Sequence, residues 1–261
     1  MALSKRLDDL YHSRRDLEDL QTSEISISML MALDKISQSN EPKTEIKPAS
    51  HPGSEKNADA SISTSETNAL DTSANDRKSK LAVTDLSGHL KRVAAFAKLL
   101  ALKYGMDEKE ANFIKQISPM HDIGKWAIPE SILHKPSALT PEEWEIMKTH
   151  TSMGYEMLKD SKLDVLRMGA LVAIQHQEKF DGTGYPKGLK GDEIHIYSRI
   201  TTVADVLDAL GSERTYKQAW GVEEIIRYFQ EGRETHFDPV LVDLLLANMN
   251  EFTAIRLGLI F

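Results

Sequence analysis

The chain has 261 residues, 41% of them hydrophobic and 28% charged, with a formal net charge of −8. That is enough apolar material for one large domain, or one domain with an extension, and the acidic balance argues against a protein that coats nucleic acid. With no cysteine there is neither a disulfide framework nor a thiolate metal site. Any metal must be held by His, Asp and Glu, donors that suit iron, manganese, zinc or magnesium.

Read from the start, Met1 to Arg15 is charged throughout and lacks the apolar stretch of a signal peptide. No run approaches the roughly 20 apolar residues of a membrane helix, so a cytoplasmic location without membrane contact is expected. Over residues 1–40, Leu7, Leu10, Tyr11, Ile25, Leu30 and Leu33 recur at helical spacing, which predicts a helical N-terminal segment. Residues 41–80 change character: Pro42, Pro48 and Pro52 interrupt a stretch rich in Ser, Thr, Asn and Asp and without aromatics. Such a stretch cannot bury enough apolar surface to offset its ordering entropy and reads as a disordered linker or insertion. Residues 81–261 are apolar-periodic almost throughout, the pattern of an all-α, bundle-like domain.

Within that domain the predicted helices carry their own start signals. Asp107 with Glu110 reads as a capping box for a helix running toward Met120. Thr140, Pro141 and Glu143 start a second, which carries Trp144, Met147, His150 and Met153. Further helices are predicted from about Leu163 to Glu178, Ile200 to Leu210, Val222 to Gln230 and Pro239 to Met249. One long loop is expected from Phe180 to Tyr197.

Several polar residues stand where chemistry could use them. Asp85 and His89 are four apart and share a helix face. His121 and Asp122 are adjacent at a helix end, and His150, His176 and Asp205 fall on separate helices. Each has a plain alternative. A lone His89 or His150 reads as a surface or satisfied core histidine, Asp85 as an N-cap, and the glycine-rich turn as a loop needing positive φ. Asp205 lies in the run Val203-Ala-Asp-Val-Leu207, where an unpaired carboxylate is costly. Asp208 is either its solvated neighbour or a partner of a ligating histidine. Taken jointly, histidines and aspartates gathered in a helical bundle can hold two divalent ions with Asp122 between them, the arrangement that cleaves phosphoesters.

From about Asp85 to Met249 the chain resembles the HD-GYP domains, a class of HD phosphohydrolases acting on cyclic di-GMP. The resemblance is carried by His89-Leu-Lys-Arg-Val, His121-Asp-Ile-Gly-Lys125, Met147-Lys-Thr-His150, Asp181-Gly-Thr-Gly-Tyr-Pro186, Ala204-Asp-Val-Leu-Asp208, Arg214-Thr-Tyr-Lys217 and His236-Phe-Asp-Pro239, in the expected order. It implies two divalent ions, iron or manganese. His89, His121, Asp122 and Asp205 would hold one, and Asp122 would bridge to a second completed by His150 and His176. Asp85 would offer a place for a third. The resemblance also implies that Lys125 and Asp122 act in catalysis and that Tyr185, Arg214 and Lys217 contact cyclic di-GMP. The reaction would be attack of a metal-bound hydroxide, giving pGpG or GMP.

One departure stands out. Gln177 follows His176 where the family has a second histidine, and a neutral amide is the poorer ligand for a borderline metal. Weakened affinity at the second position is expected, with Gln177 or water filling it. Smaller departures are Ser137 in place of Gly and His195 in place of Pro. The expected function is therefore a cyclic di-GMP phosphodiesterase. The alternatives are a degenerate module that binds the dinucleotide or a protein without turnover, or a phosphohydrolase of another nucleotide. Residues 1–40 would serve self-association or a protein partner.

Overall fold

The computed structural model describes residues 88–212 and 218–259. The expected N-terminal segment 1–40, the linker 41–80, Asp85, Arg214 and Lys217 lie outside them. Among the described residues the chain is helical, and its one β-type pairing is an isolated bridge between Arg233 and Phe237. No described helix is long and apolar enough to cross a membrane.

Helix α1 covers residues 88–104. Leu90, Val93, Phe96, Ala97, Leu100 and Ala101 recur every three or four residues and are all buried. It ends where Gly105 takes φ +101°. The Gly105 amide then bonds Leu102 O and the Met106 amide bonds Ala101 O, the paired bonds of a Schellman cap. Helix α2 spans Glu108–Ile117 and is capped by Asp107, which accepts from the Glu110 amide. The expected reciprocal bond of a capping box is replaced, because the Glu110 carboxylate accepts from the Tyr197 hydroxyl at 2.9 Å. The helix also stops short of Met120: Pro119 introduces a tight 3₁₀ turn at Ser118–Met120.

A second 3₁₀ turn, Ile123–Ala127, leads to the short helix α3, Glu130–Leu133. Helix α4, Pro141–Lys148, has the full capping box of Thr140 and Glu143. The single helix expected here is two. Thr149 bonds Ile146 O through both its amide and its hydroxyl, tightening the turn, and α5, His150–Leu158, starts afresh. Helix α6 covers Asp164–Gln175 and ends before Glu178, which serves the following loop instead. That loop contains a 3₁₀ turn at Gly191–Glu193, and α7 begins at Ile196, so Tyr197 is helical. Helix α7 ends at Gly211, and α8 spans Val222–Glu231. The last predicted helix is α9, Pro239–Ala247, and after Asn248 a further helix that was not expected, α10, spans Met249–Arg256.

Two cores result. The larger joins α1, α2 and α7 to α8, α9 and α10 through Phe96, Leu100, Ile114, Ile200, Phe229, Leu245 and Phe252. The smaller gathers Met120, Ile123, Leu158, Leu166 and Ala170. His121 and Asp122 are thus flanked in sequence by two buried anchors of the smaller core. Small residues let its parts approach closely. A Cβ on Gly124 would lie 1.8 Å from His150 O and 2.4 Å from Gly154 N, and one on Gly154 would lie 3.0 Å from Ala173 Cβ. The backbone of the turn, the start of α5 and the face of α6 therefore pack in near-contact.

Replacement Gly124→Ala is expected to destabilise the protein by about 3 kcal/mol or more, since the obstructing atoms are backbone and cannot swing aside. Chemical denaturation of the purified variant checks this, and wild-type stability would contradict the packing described.

Candidate metal centre

Five pieces of the fold deliver ligand-type side chains to a common point. His121 and Asp122 leave the 3₁₀ turn after α2, His150 opens α5, His176 closes α6, Asp205 projects from the middle of α7 and His89 from the first described turn of α1. Among the described residues they form two groups, His89 with His121 and Asp205, and Asp122 with His150 and His176. In each, the ligand atoms lie within 4.8 Å of one another.

Asp122 joins the groups. Its Oδ2 is 3.4 Å from His121 Nε2, while Oδ1 is 3.4 Å from His150 Nε2 and 3.6 Å from His176 Nε2. Asp205 Oδ1 lies 3.6 Å from both His89 Nε2 and His121 Nε2.

The second nitrogen of every imidazole is already engaged. His121 Nδ1 meets Ser118 O at 2.8 Å, His150 Nδ1 meets Met147 O at 2.7 Å, and His176 Nδ1 meets Ala173 O at 2.9 Å. His89 Nδ1 meets Asp208 Oδ2 at 2.8 Å. A carbonyl or carboxylate only accepts, so each Nδ1 donates its hydrogen there and each Nε2 is the nitrogen left to face the centre. His150 Nε2 and His176 Nε2 face each other at 3.2 Å. That contact requires a cation, a proton or a metal ion, between them. His121 Nε2 and Asp122 Oδ1 are buried with no hydrogen-bond partner. Polar atoms left so are expensive unless something binds them. The donor set therefore fits two divalent ions, one at each group.

Electrostatics agree. Burial lowers the His121 pKa, but the charges of Asp122 and Asp205 outweigh it and raise it to about 9. For Asp122, burial favours the neutral acid, yet Lys125 and His121 hold the carboxyl well below its ordinary value. Burial, helped by His176, lowers His150 to about 4, so its imidazole is neutral near pH 7. Lys125 Nζ sits 2.5 Å from Asp122 Oδ2 and remains 40% exposed, so the ammonium reaches both the centre and its mouth.

Some supporting residues had no role assigned from sequence. Arg92 forks onto Asp208, Nε to Oδ1 at 2.5 Å and Nη2 to Oδ2 at 3.0 Å, which settles Asp208 as the partner of His89 rather than a solvated neighbour. Burial opposes ionisation of Asp208, but His89 and Arg92 keep its pKa low. The buried Glu178 accepts from the amides of Lys187 at 2.7 Å and Leu189 at 3.0 Å, pinning the glycine-rich loop. The Tyr185 amide bonds Gln177 O at 3.1 Å, which brings the Tyr185 ring within 6.4 Å of the His150 ring. Gln177 itself is half-buried beside His176. The joint pattern of Glu178 with the following glycines was the signal available for this loop; nothing in the sequence separated Arg92 from other surface cations.

Asp208→Asn is expected to weaken ion binding at the His89 group about 10- to 100-fold while the fold survives, measurable by calorimetric titration with Mn²⁺. A second outcome concerns pH. Because ion-free His121 titrates near 9, a bound ion must displace its proton. Affinity for Mn²⁺ should rise with pH up to about 9 and level beyond it, with proton uptake by buffer on binding. Affinity independent of pH between 7 and 9 would contradict the assignment.

An HD domain family model matches residues 76–241. Among curated proteins, the chain is 47% identical over 175 residues to 3'3'-cGAMP-specific phosphodiesterase 2 of Vibrio cholerae, covering 67% of this chain and 34% of that protein. It is 45% identical over 160 residues to the cyclic di-GMP phosphodiesterase response regulator RpfG of Xanthomonas campestris, covering 61% and 42%. To a cyclic di-GMP phosphodiesterase of Thermotoga maritima it is 42% identical over 165 residues, covering 63% and 45%. The chain thus spans less than half the length of each of these relatives. By the match of its family model over residues 76–241, the chain belongs to the HD domain family.

Proposed function

We propose that the chain is a metal-dependent phosphodiesterase that opens the phosphodiester ring of cyclic di-GMP to pGpG, GMP or both. The observation that carries this reading is Asp122, a half-buried carboxylate with one oxygen toward each histidine group. Such a bridge serves two ions acting on one phosphate. In this reading His89, His121, Asp122 and Asp205 hold one ion. Asp122, His150 and His176 hold the other, with Gln177 or water completing it, and Asp85 offers a place for a third. Iron or manganese suits this nitrogen and oxygen donor set. When bound, the ions supply positive charge for the phosphodiester oxygens and the acidity that activates the attacking water.

The chain's own residues do the rest. Lys125, held against Asp122, meets the charge that builds on the leaving oxygen and can return a proton to it. Tyr185 keeps its phenol hydrogen, because burial and the Asp122 charge both raise its pKa, and so donates to a phosphate oxygen. Arg214 and Lys217 contact the substrate phosphates, a role supported by the resemblance alone.

The relative with 47% identity is named for 3'3'-cGAMP, which favours that dinucleotide as a second reading of the substrate. Both molecules present the same phosphodiester ring, so the reaction is common to the two readings.

The test is turnover by protein prepared without oxygen and loaded with Fe²⁺ or Mn²⁺, offered cyclic di-GMP and 3'3'-cGAMP in parallel. Linear products are expected, lost in the double variant His121→Ala, Asp122→Ala. Lys125→Ala should reduce kcat about 100-fold. Little change on Gln177→His would mark the glutamine as tolerated. No product at full metal loading, with activity gained by Gln177→His, would instead mark a degenerate binding module.

A further inference from the structure

An indole stands uncovered beside the centre. Trp144 on α4 is 47% exposed, although a tryptophan is usually well covered. Its ring meets Tyr185 edge to face, centroids 6.5 Å apart at 79°. Tyr185 in turn meets His150 at 6.4 Å and 81°. Lys148, one helical turn after Trp144 on the same face, carries Nζ 5.9 Å from the centre of the Tyr185 ring and pairs with Glu145. A row of rings therefore runs from a buried imidazole of the centre, through Tyr185, to an open indole, with a cation alongside.

The row is held firmly. The Thr140–Glu143 capping box fixes the first turn of α4, and Lys135 Nζ bonds the same Glu143 carboxylate at 2.5 Å. Trp144 is the next residue. An indole kept rigid and open costs little entropy when a flat partner covers it.

We propose that Trp144 is a substrate-contacting residue, whose exposed surface stacks one purine of the cyclic dinucleotide while the phosphate lies at the Asp122 centre. This rests on the reading of the site as a cyclic dinucleotide phosphodiesterase. The metal centre and Lys125 recognise charge, which the bases lack. A base needs a flat apolar surface within one nucleotide's reach of the phosphate, and the Tyr185–Trp144 pair presents one. Stacking on an indole is tolerant of base identity. Trp144 therefore adds affinity for guanine and adenine alike and does not choose between cyclic di-GMP and 3'3'-cGAMP.

The test is steady-state kinetics of Trp144→Leu and Trp144→Phe on both dinucleotides. Leucine keeps apolar bulk without a π face. It should raise KM about tenfold on each substrate while kcat stays within about twofold, and phenylalanine should recover most of the loss. Calorimetric Kd values for cyclic di-GMP accompany the kinetics. If the wild type binds but does not cleave, the phosphodiesterase reading fails and a weaker Kd in Trp144→Leu still supports the stacking role. An active wild type with unchanged KM and Kd in Trp144→Leu overturns the stacking role alone. A wild type that neither cleaves nor binds either dinucleotide overturns both.

Discussion

Four imidazoles have one nitrogen committed to a fixed acceptor and must turn the other inward, onto two aspartates and onto each other. The packing around the site serves that constraint. His150 Nε2 and His176 Nε2 stand 3.2 Å apart, and His121 Nε2 and Asp122 Oδ1 are buried without partners. A bundle built only for stability would fill this space with aliphatic side chains, since buried groups of this kind seldom favour folding by themselves. Their convergence fits the binding of cations there, and the binding free energy of such ions would add to that of the fold.

The scaffold that enforces the constraint is made of backbone contacts more than of large side chains. Gly124 against His150 O and Gly154 against Ala173 bring the His121–Asp122 turn, α5 and α6 closer than ordinary helix packing allows. Met120 and Ile123, buried on either side of the pair, prevent the turn from rotating. On the other side Asp208, clamped by Arg92, fixes the ring of His89, and Thr202 bonds His176 O at 2.9 Å. The ligands are thus carried on rigid elements whose supports are themselves hydrogen-bonded, the condition under which a site keeps its geometry.

Much of this was legible in the sequence, and the reasons differ by residue. The caps at Asp107 and Thr140 are local signals and locate their helices. Asp205 is conspicuous because a carboxylate in an apolar run needs a partner. Breaks at Thr149 and Asn248 were not legible, since each depends on a side chain turning back on its own helix, which polar residues do in many contexts. The start of α7 at Ile196 is not legible because its cap is His195, which accepts from the Tyr197 amide, and histidine is not among the residues that usually mark a helix start. Arg92 and Trp144 gain their meaning only from α7 and the Tyr185 loop, far away in sequence. Long-range pairing of this kind leaves no periodic trace.

The central proposal is that Asp122 would bridge two ions held by the two histidine groups. Electron paramagnetic resonance of the protein loaded with Mn²⁺ tests it most directly. Two manganese ions sharing one carboxylate are magnetically coupled, so the account requires a coupled spectrum that Asp122→Asn converts to that of isolated ions. An uncoupled six-line spectrum from the wild type at saturating Mn²⁺ would contradict it.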